Sequence, residues 1–159
     1  MVKNNDLTFV KVYVLLIVGE SFMGQVFTDV TLKNAGDLTL AEHGYKKEDE
    51  IRQTTVNILV DTGAGTLVIT EAIQQELGLK LREDQPVRMA NDQSIIVKEA
   101  DPVEVHWKNR SMICKPWVIP GSQKALLGLI PLEAMDLMVD PNQQRVIGAH
   151  GDVQVGILY

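Results

Sequence analysis

Cysteine is nearly absent from this chain. Cys114 is the only one in 159 residues, so no disulfide can form within them. That usage suits a reducing compartment and favours the cytoplasm without fixing the location. Cys114 lies in the apolar stretch Met112-Ile113-Cys114, where a buried structural thiol is expected rather than a nucleophile. Aromatic residues make up only 5%, so Val, Ile and Leu must fill the core, which favours strands. Positive charge is also short: 15 Lys and Arg against 21 Asp and Glu leave a formal net charge of −6. Phosphate recognition needs a basic surface, so nucleic acid is not an expected partner. His43, His106 and His150 stand without partners at metal-ligand spacing, so neither a metal nor a cofactor is expected. The run from Val10 to Val18, interrupted by Lys11, falls short of the ~20 apolar residues of a membrane-spanning helix.

That same run leaves the N-terminus open to three readings. It can be a weak signal-peptide core behind Lys3, although no clear small-residue cleavage site follows. It can be an early strand, or part of an extension ahead of a domain that begins at Met23. The remaining composition, 45% hydrophobic and 23% charged, is that of one globular domain long enough to bury a core.

What is present begins with Asp61-Thr62-Gly63-Ala64, directly after the apolar run Val56-Asn57-Ile58-Leu59-Val60. An ionised carboxylate buried without partners costs several kcal/mol, so an acid at the end of a buried strand is paired, hydrogen-bonded or functional. Thr62 offers a hydroxyl and Gly63 lets the backbone turn sharply. An ordinary strand ending in an Asx-type turn uses the same residues, and the motif alone does not separate the two. A phosphate-binding turn through Gly65-Thr66 is a third reading, but no lysine follows the glycines.

Further signals surround the motif. Val26 to Leu32 reads as a strand, Asn34-Ala35-Gly36-Asp37 as a turn, and Ala41 to Glu50 as a solvated loop with the charged stretch 46–50. Arg52 to Val60 is the strand that carries Asp61. Thr70 is a plausible N-cap for a helix over 70–77 that Gly78 can end, with Ile73 and Leu77 on one face. Residues 86–90 and 94–97 form a hairpin around Asn91-Asp92-Gln93. Val103 to Trp107 alternates cleanly, Lys108-Asn109-Arg110 reads as a connection, and Met112 to Ile119 reads as an edge strand interrupted by Pro116. Trp107 and Trp117 are expected in the core or lining a groove. A hairpin spans residues 138–147 around Pro141-Asn142, and the tail from Val153 to Tyr159 is apolar.

A second apolar strand, Ala125-Leu126-Leu127-Gly128-Leu129-Ile130, runs into the helical-looking Pro131-Leu132-Glu133-Ala134-Met135. Together, Ile-Leu-Val-Asp-Thr-Gly-Ala and Leu-Leu-Gly-Leu-Ile-Pro-Leu-Glu resemble the retropepsin-like aspartic proteases, in their cellular and bacterial branch, over roughly residues 24–148. The resemblance implies a mainly β, closed barrel-like acid-protease fold with one or two short helices and an internal pseudo-twofold. It implies an N-terminal extension over 1–22, a protease domain over 23–150, and a tail over 151–159 that is a candidate interface strand. It further implies an aspartic endopeptidase in which Asp61 is catalytic, and Thr62, Gly63, Leu127 and Gly128 support the catalytic loop. Ala64 would border the substrate, and Met89, Ala90, Asn91, Asp92 and Gln93 would form the flap that closes over it. Relatives often carry Gly at the flap tip, where this chain has Asn91-Asp92.

Paired-aspartate hydrolysis needs two carboxylates sharing one proton. The chain holds a single Asp-Thr-Gly, since Asp101-Pro102, Asp136-Leu137 and Asp140-Pro141 lack the turn chemistry. Two-lobed enzymes need about twice this length, so the second acid has to come from another copy. The expected partners are therefore a second copy of the chain and a peptide or protein substrate. A protease-like module that binds peptides or assembles partners without cleaving is the alternative, because Asp61 is necessary but not sufficient.

Overall fold

The computed structural model describes residues 24–89 and 92–156. The expectations for residues 1–22, for Ala90 and Asn91 at the hairpin tip, and for the last three residues of the tail lie outside the described residues.

The frame is a long antiparallel pair. Strand β1 (Val26–Asn34) runs against β2 (Gln53–Val60) in unbroken register from Val26↔Val60 to Lys33↔Gln53. On β1 the inward positions Val30, Leu32 and Asn34 alternate with less buried ones, the period of two that a strand with one core face requires. Strand β6 (Val103–Trp107) pairs with the far end of β1, buries Val103, Val105 and Trp107, and leads into β7 (Arg110–Cys114). On the other side lie two-residue strands β3 (Val68–Ile69), β8 (Trp117–Val118) and β9 (Leu126–Leu127), then the hairpin of β4 (Leu81–Arg88) and β5 (Ser94–Ala100). The nine strands form one sheet in the order β4-β5-β8-β3-β9-β2-β1-β6-β7, curled into a half-barrel. A separate hairpin joins β10 (Leu137–Asp140) to β11 (Arg145–Gly148). Among the described residues no helix is long and apolar enough to cross a membrane.

Among the described residues three short α-helices accompany the sheet. Helix α2 (Glu71–Glu76) starts as its sequence suggests: the Thr70 hydroxyl accepts from the Ile73 N–H at 3.2 Å, and Gly78, at φ +61°, takes the chain out of it. Its C-cap Leu77 is fully buried. Helix α3 (Leu129–Ala134) carries Pro131 in its first turn, where the missing N–H costs nothing. The third helix, α1 (Ala35–Glu42), replaces the turn expected at 34–37. Asn34 is its N-cap: its side-chain oxygen accepts from Asp37 N–H at 3.0 Å, while its amide donates to Leu77 O at 2.9 Å. Asp37 is buried at 2% exposure and binds Arg52, fifteen residues on. That distant partner outweighs the local preference of Asn-Ala-Gly-Asp for a turn.

Two other expectations are corrected. Residues 112–119 do not form one strand; Pro116 separates β7 from β8. Only β7 lies at an edge, whereas β8 is enclosed between β5 and β3. Arg110 is not in a connection but begins β7, and its side chain is 1% exposed. Its guanidinium donates to Met135 O at 2.9 Å, to Asp136 Oδ2 at 3.1 Å, to Val153 O at 3.1 Å, and to the carbonyls of Asp136 and Gly151. Asp136, at φ +55°, also accepts from the Val155 N–H at 3.3 Å and meets His150 Nδ1 at 2.7 Å. Burial pushes the Asp136 carboxyl up, but His150, the Val155 N–H and Arg110 outweigh it and hold it below its ordinary range. The tail over 151–156 contains no strand and is fastened to its own subunit, with Gln154 adding a 2.8 Å bond to Ala134 O. Burial pushes the Cys114 thiol up to about 12, as an inert thiol requires.

Candidate functional site

Strands β2 and β3 follow each other in sequence but are not neighbours. Strand β9 lies between them, parallel to β2 through Leu59↔Leu126 and Val60↔Leu127, and antiparallel to β3 through Val68↔Leu126. The connection 61–67 must therefore arch over the end of β9. Asp61 and Gly128 follow the last residues of the two parallel strands and so lie at the same end of the sheet. The Asp61 N–H donates to Leu127 O at 3.0 Å, Leu129 N–H to Ala64 O at 2.8 Å, and Ile130 N–H to Gly65 O at 3.2 Å. The Asp-Thr-Gly segment is thus bound through its backbone to the Leu127-Gly128 segment, the two motifs that stood out in the sequence.

Gly128 is required by space rather than by dihedral angle. A Cβ there would lie 2.2 Å from Thr66 O and 2.6 Å from Ala64 O, so any side chain would push the arch outward. Beneath the arch a small apolar cluster of Leu59, Val68 and Leu126 packs with Ala64, Trp117 and Ile119, apart from the main core.

Asp61 receives little support of its own. Its Oδ1 accepts the Gly63 N–H at 2.9 Å, and its carbonyl accepts the Ala64 N–H at 3.1 Å. No cation pairs with it among the described residues. Burial pushes its carboxyl above the ordinary value, with the Gly63 and Ala64 N–H groups opposing that rise. Thr62 and Gly63 are exposed at the crest of the turn, and Leu129 and Ile130 beside it are 40% and 56% exposed. A carboxyl raised by burial beside an exposed and partly apolar crest is the kind of group suited to proton exchange.

Next to the arch is an apolar cavity of about 40 Å³, lined by residues 64–66, by Val87 and Met89 of the β4–β5 hairpin, and by Val68, Trp117 and Leu126. The structure thus brings Ala64 and Met89 to one cavity. The hairpin turn is closed by the Met89 N–H to Gln93 O bond at 2.7 Å and the Asp92 N–H to Met89 O bond at 3.0 Å. Asp92 takes the left-handed φ of +64°, as a turn without glycine requires, and its carboxylate pairs with Arg88 at 3.0 Å, away from the cavity lining. Val87 was not singled out in the sequence. It stands two residues before Met89, and the period of two could have revealed it. Among the described residues no lysine or arginine lines the cavity beside Gly65-Thr66. Among the described residues no cluster of His, Cys, Asp and Glu could hold a metal.

The profile of a protein family described as "gag-polyprotein putative aspartyl protease" matches residues 48–134, more than half of the chain. The match includes Asp61, the cavity residues and Gly128. No curated protein matches. Among solved structures, EIAV protease complexed with the inhibitor HBY-793 is 20% identical, with a TM-score of 0.46 over 72% of this chain and 90% of that one. A retropepsin-like aspartic protease from Rickettsia conorii is 16% identical, with a TM-score of 0.38 over 76% of this chain and 91% of that one.

Proposed function

The chain belongs to the gag-polyprotein aspartyl protease family, a retropepsin-like family, and on that premise we propose that it is an aspartic endopeptidase working as a homodimer. The observation that carries the proposal is the state of Asp61: a buried-end carboxyl pushed upward, with backbone N–H groups but no cation beside it, next to an apolar cavity. One such group per chain is half of a catalytic pair. In a twofold dimer the two Asp61 side chains meet at the axis, and two carboxylates about 3 Å apart share one proton. The ionised member takes a proton from a water as that water attacks the peptide carbonyl carbon. The protonated member donates to the carbonyl oxygen. The resulting tetrahedral species collapses when the amide nitrogen is protonated and leaves.

Within this reading Thr62 and Gly63, exposed in a single subunit, lie against the partner's copies and hold the acids in register. Leu127 and Gly128 support the loop from behind. Ala64, Met89 and the hairpin tip, including Ala90, Asn91, Asp92 and Gln93, close over a bound peptide. The protease domain spans 23–150. The tail adds interface through Val153 and Val155, which are 68% and 41% exposed. A non-cleaving peptide-binding module is the second reading, and it uses the same cavity.

Cleavage of a peptide mixture near pH 5, with and without a transition-state mimic of aspartic proteases, separates the two. The proposal expects cleavage that the mimic blocks and whose specific activity falls on dilution through the dimer dissociation range. Full activity in a species that light scattering shows to be monomeric would overturn it.

A further inference from the structure

The two edges of the nine-stranded sheet are protected in different ways. An open edge presents unpaired N–H and C=O groups and invites another strand. Strand β4 forms one edge and carries Arg82, Glu83, Asp84 and Pro86, charges and a proline that oppose pairing. Strand β7 forms the other edge and has no such protection. Its single charged residue, Arg110, is turned inward. The rest, Ser111-Met112-Ile113-Cys114, is uncharged, and Ile113 is 61% exposed.

What covers β7 is a side chain of the tail. Gln154 spans the main chain of Ser111: its Oε1 accepts the Ser111 N–H at 3.3 Å, and its Nε2 donates to Ser111 O at 3.3 Å. A primary amide thus imitates the peptide group of a neighbouring strand. The same Nε2 donates to Ala134 O at 2.8 Å, which holds the amide over the edge. Both bonds to Ser111 lie at the long end of the usual range, so a better-aligned partner can displace them. Main-chain groups alternate in direction along a strand, so those of Ile113 face the same way as those of Ser111. The amide of Gln154 is long enough to span only one of the two residues.

We propose that the β7 edge is a strand-docking surface, that its partner is the same edge of a second copy of the chain, and that Gln154 keeps it closed. Two β7 strands running antiparallel about Met112 set each Ser111 opposite the other copy's Ile113. In that register both pairs exchange N–H···O bonds, so a twofold contact uses the edge groups of both residues. No like charges meet across it, and each exposed Ile113 side chain gains a neighbour. Strands β6 and β1 separate β7 from the strand that carries Asp61. The contact is therefore distinct from the Asp61 axis of the proposed dimer and does not rest on it.

The test compares the full-length protein with Gln154→Ala, Gln154→Glu and the double variant Gln154→Ala/Ile113→Lys. Mass is read by light scattering over a concentration series, and Ser111 N–H exchange by hydrogen–deuterium exchange. Gln154→Ala should double the mass of whatever species the wild type forms at the same concentration, a dimer becoming a tetramer or a monomer a dimer. In dilute solution its Ser111 N–H should exchange about 5-fold faster, the worth of one neutral hydrogen bond, and it should slow again as the copies associate. Gln154→Glu keeps the acceptor and loses the amide donor, so it should shift both readings partway. The double variant should keep the wild-type mass, because a lysine on the edge opposes pairing. A thermal unfolding curve identifies any variant that has lost its fold, and Gln154→Glu then carries the test. Faster Ser111 exchange without a rise in mass would overturn the docking surface. An association that survives Ile113→Lys would place it elsewhere than β7, and unchanged exchange in Gln154→Ala would remove the role given to Gln154. Each reading is a difference from the wild type, so none depends on whether the Asp61 dimer forms or cleaves.

Discussion

Asp37 and Asp61 stand near opposite ends of one strand pair. Lys33↔Gln53 closes the end near Asp37, and Val26↔Val60 closes the end at Asp61, roughly 20–25 Å away by strand rise. At the first end the acid is fully answered. Arg52 grips Asp37 at 2.7 and 2.8 Å, Lys46 at 2.8 Å, and the Arg52 N–H at 3.0 Å. Its carboxyl is held well below the usual range, chiefly by the Arg52 guanidinium. At the second end the acid is left with backbone N–H groups and pushed upward by burial. The same residue type therefore serves as a staple at one end and, on the proposed function, as a proton carrier at the other. The difference lies in what surrounds each acid: cations from two later positions, or none. A carboxylate meant to exchange a proton has to be denied the partners that would make it a good structural element.

The contrast can be broken from either side. Asp61→Asn should lower kcat/KM by on the order of 10³-fold or more while leaving the fold intact, checked by cleavage assays on pure mutant protein beside circular dichroism. Gly128→Ala should come next. Its Cβ has no room beneath Thr66 and Ala64, so the arch must shift, and misplacement by about 1 Å costs on the order of 10²-fold in activity. Asp37→Asn should give the mirror image of Asp61→Asn. Stability should fall by about 2 kcal/mol in denaturant titrations, because charge-assisted bonds to Arg52 and Lys46 are lost, while kcat/KM of the folded protein stays unchanged. That figure is kept low because the Arg52 side chain is 44% exposed and water can replace its partner.

The smallest effect is in pH dependence, and the two acids should differ in sign. Asp37 has a depressed value, so its stabilisation is present above the ordinary 3.8 and is lost as pH falls through its folded value. Asp61 has a raised value, so ionising it weakens the fold as pH rises from 3.8 through its folded value. Asp61→Asn should therefore melt slightly above wild type at neutral pH and together with it near pH 3. The difference Asp37→Asn minus wild type should be most negative at neutral pH and shrink only below about pH 4.

The same contrast marks how far the sequence could be read. Asp61 and Gly128 were legible because each closes an apolar strand, and their apposition follows from two short motifs. The alternation of Val103 to Trp107 and the Thr70 cap were legible for the same reason: their causes lie within a few residues. Helix α1 was not, because what holds it is Asp37 meeting Arg52 and Asn34 meeting Leu77 O, contacts that span fifteen and forty-three residues. Trp117 was expected only in the core or a groove. Its position facing the Asp61 arch depends on β8 threading between β5 and β3, which no local pattern encodes. Arg110 looked like part of a connection because its acceptors lie 25 to 43 positions later.

That arginine grips the tail by main-chain oxygens, those of Gly151 and Val153, and not by side chains. Such a grip is indifferent to side-chain identity wherever the dihedral angles allow it. Position 151, at φ +79°, is bound to glycine, but position 153 presents a side chain that is two-thirds exposed and takes no part in the attachment. An insertion or an affinity label placed beyond residue 156 would leave the anchor untouched, whereas changing Arg110 would loosen a tail of wholly native composition, leaving it to the bonds of Gln154 and the Val155 N–H.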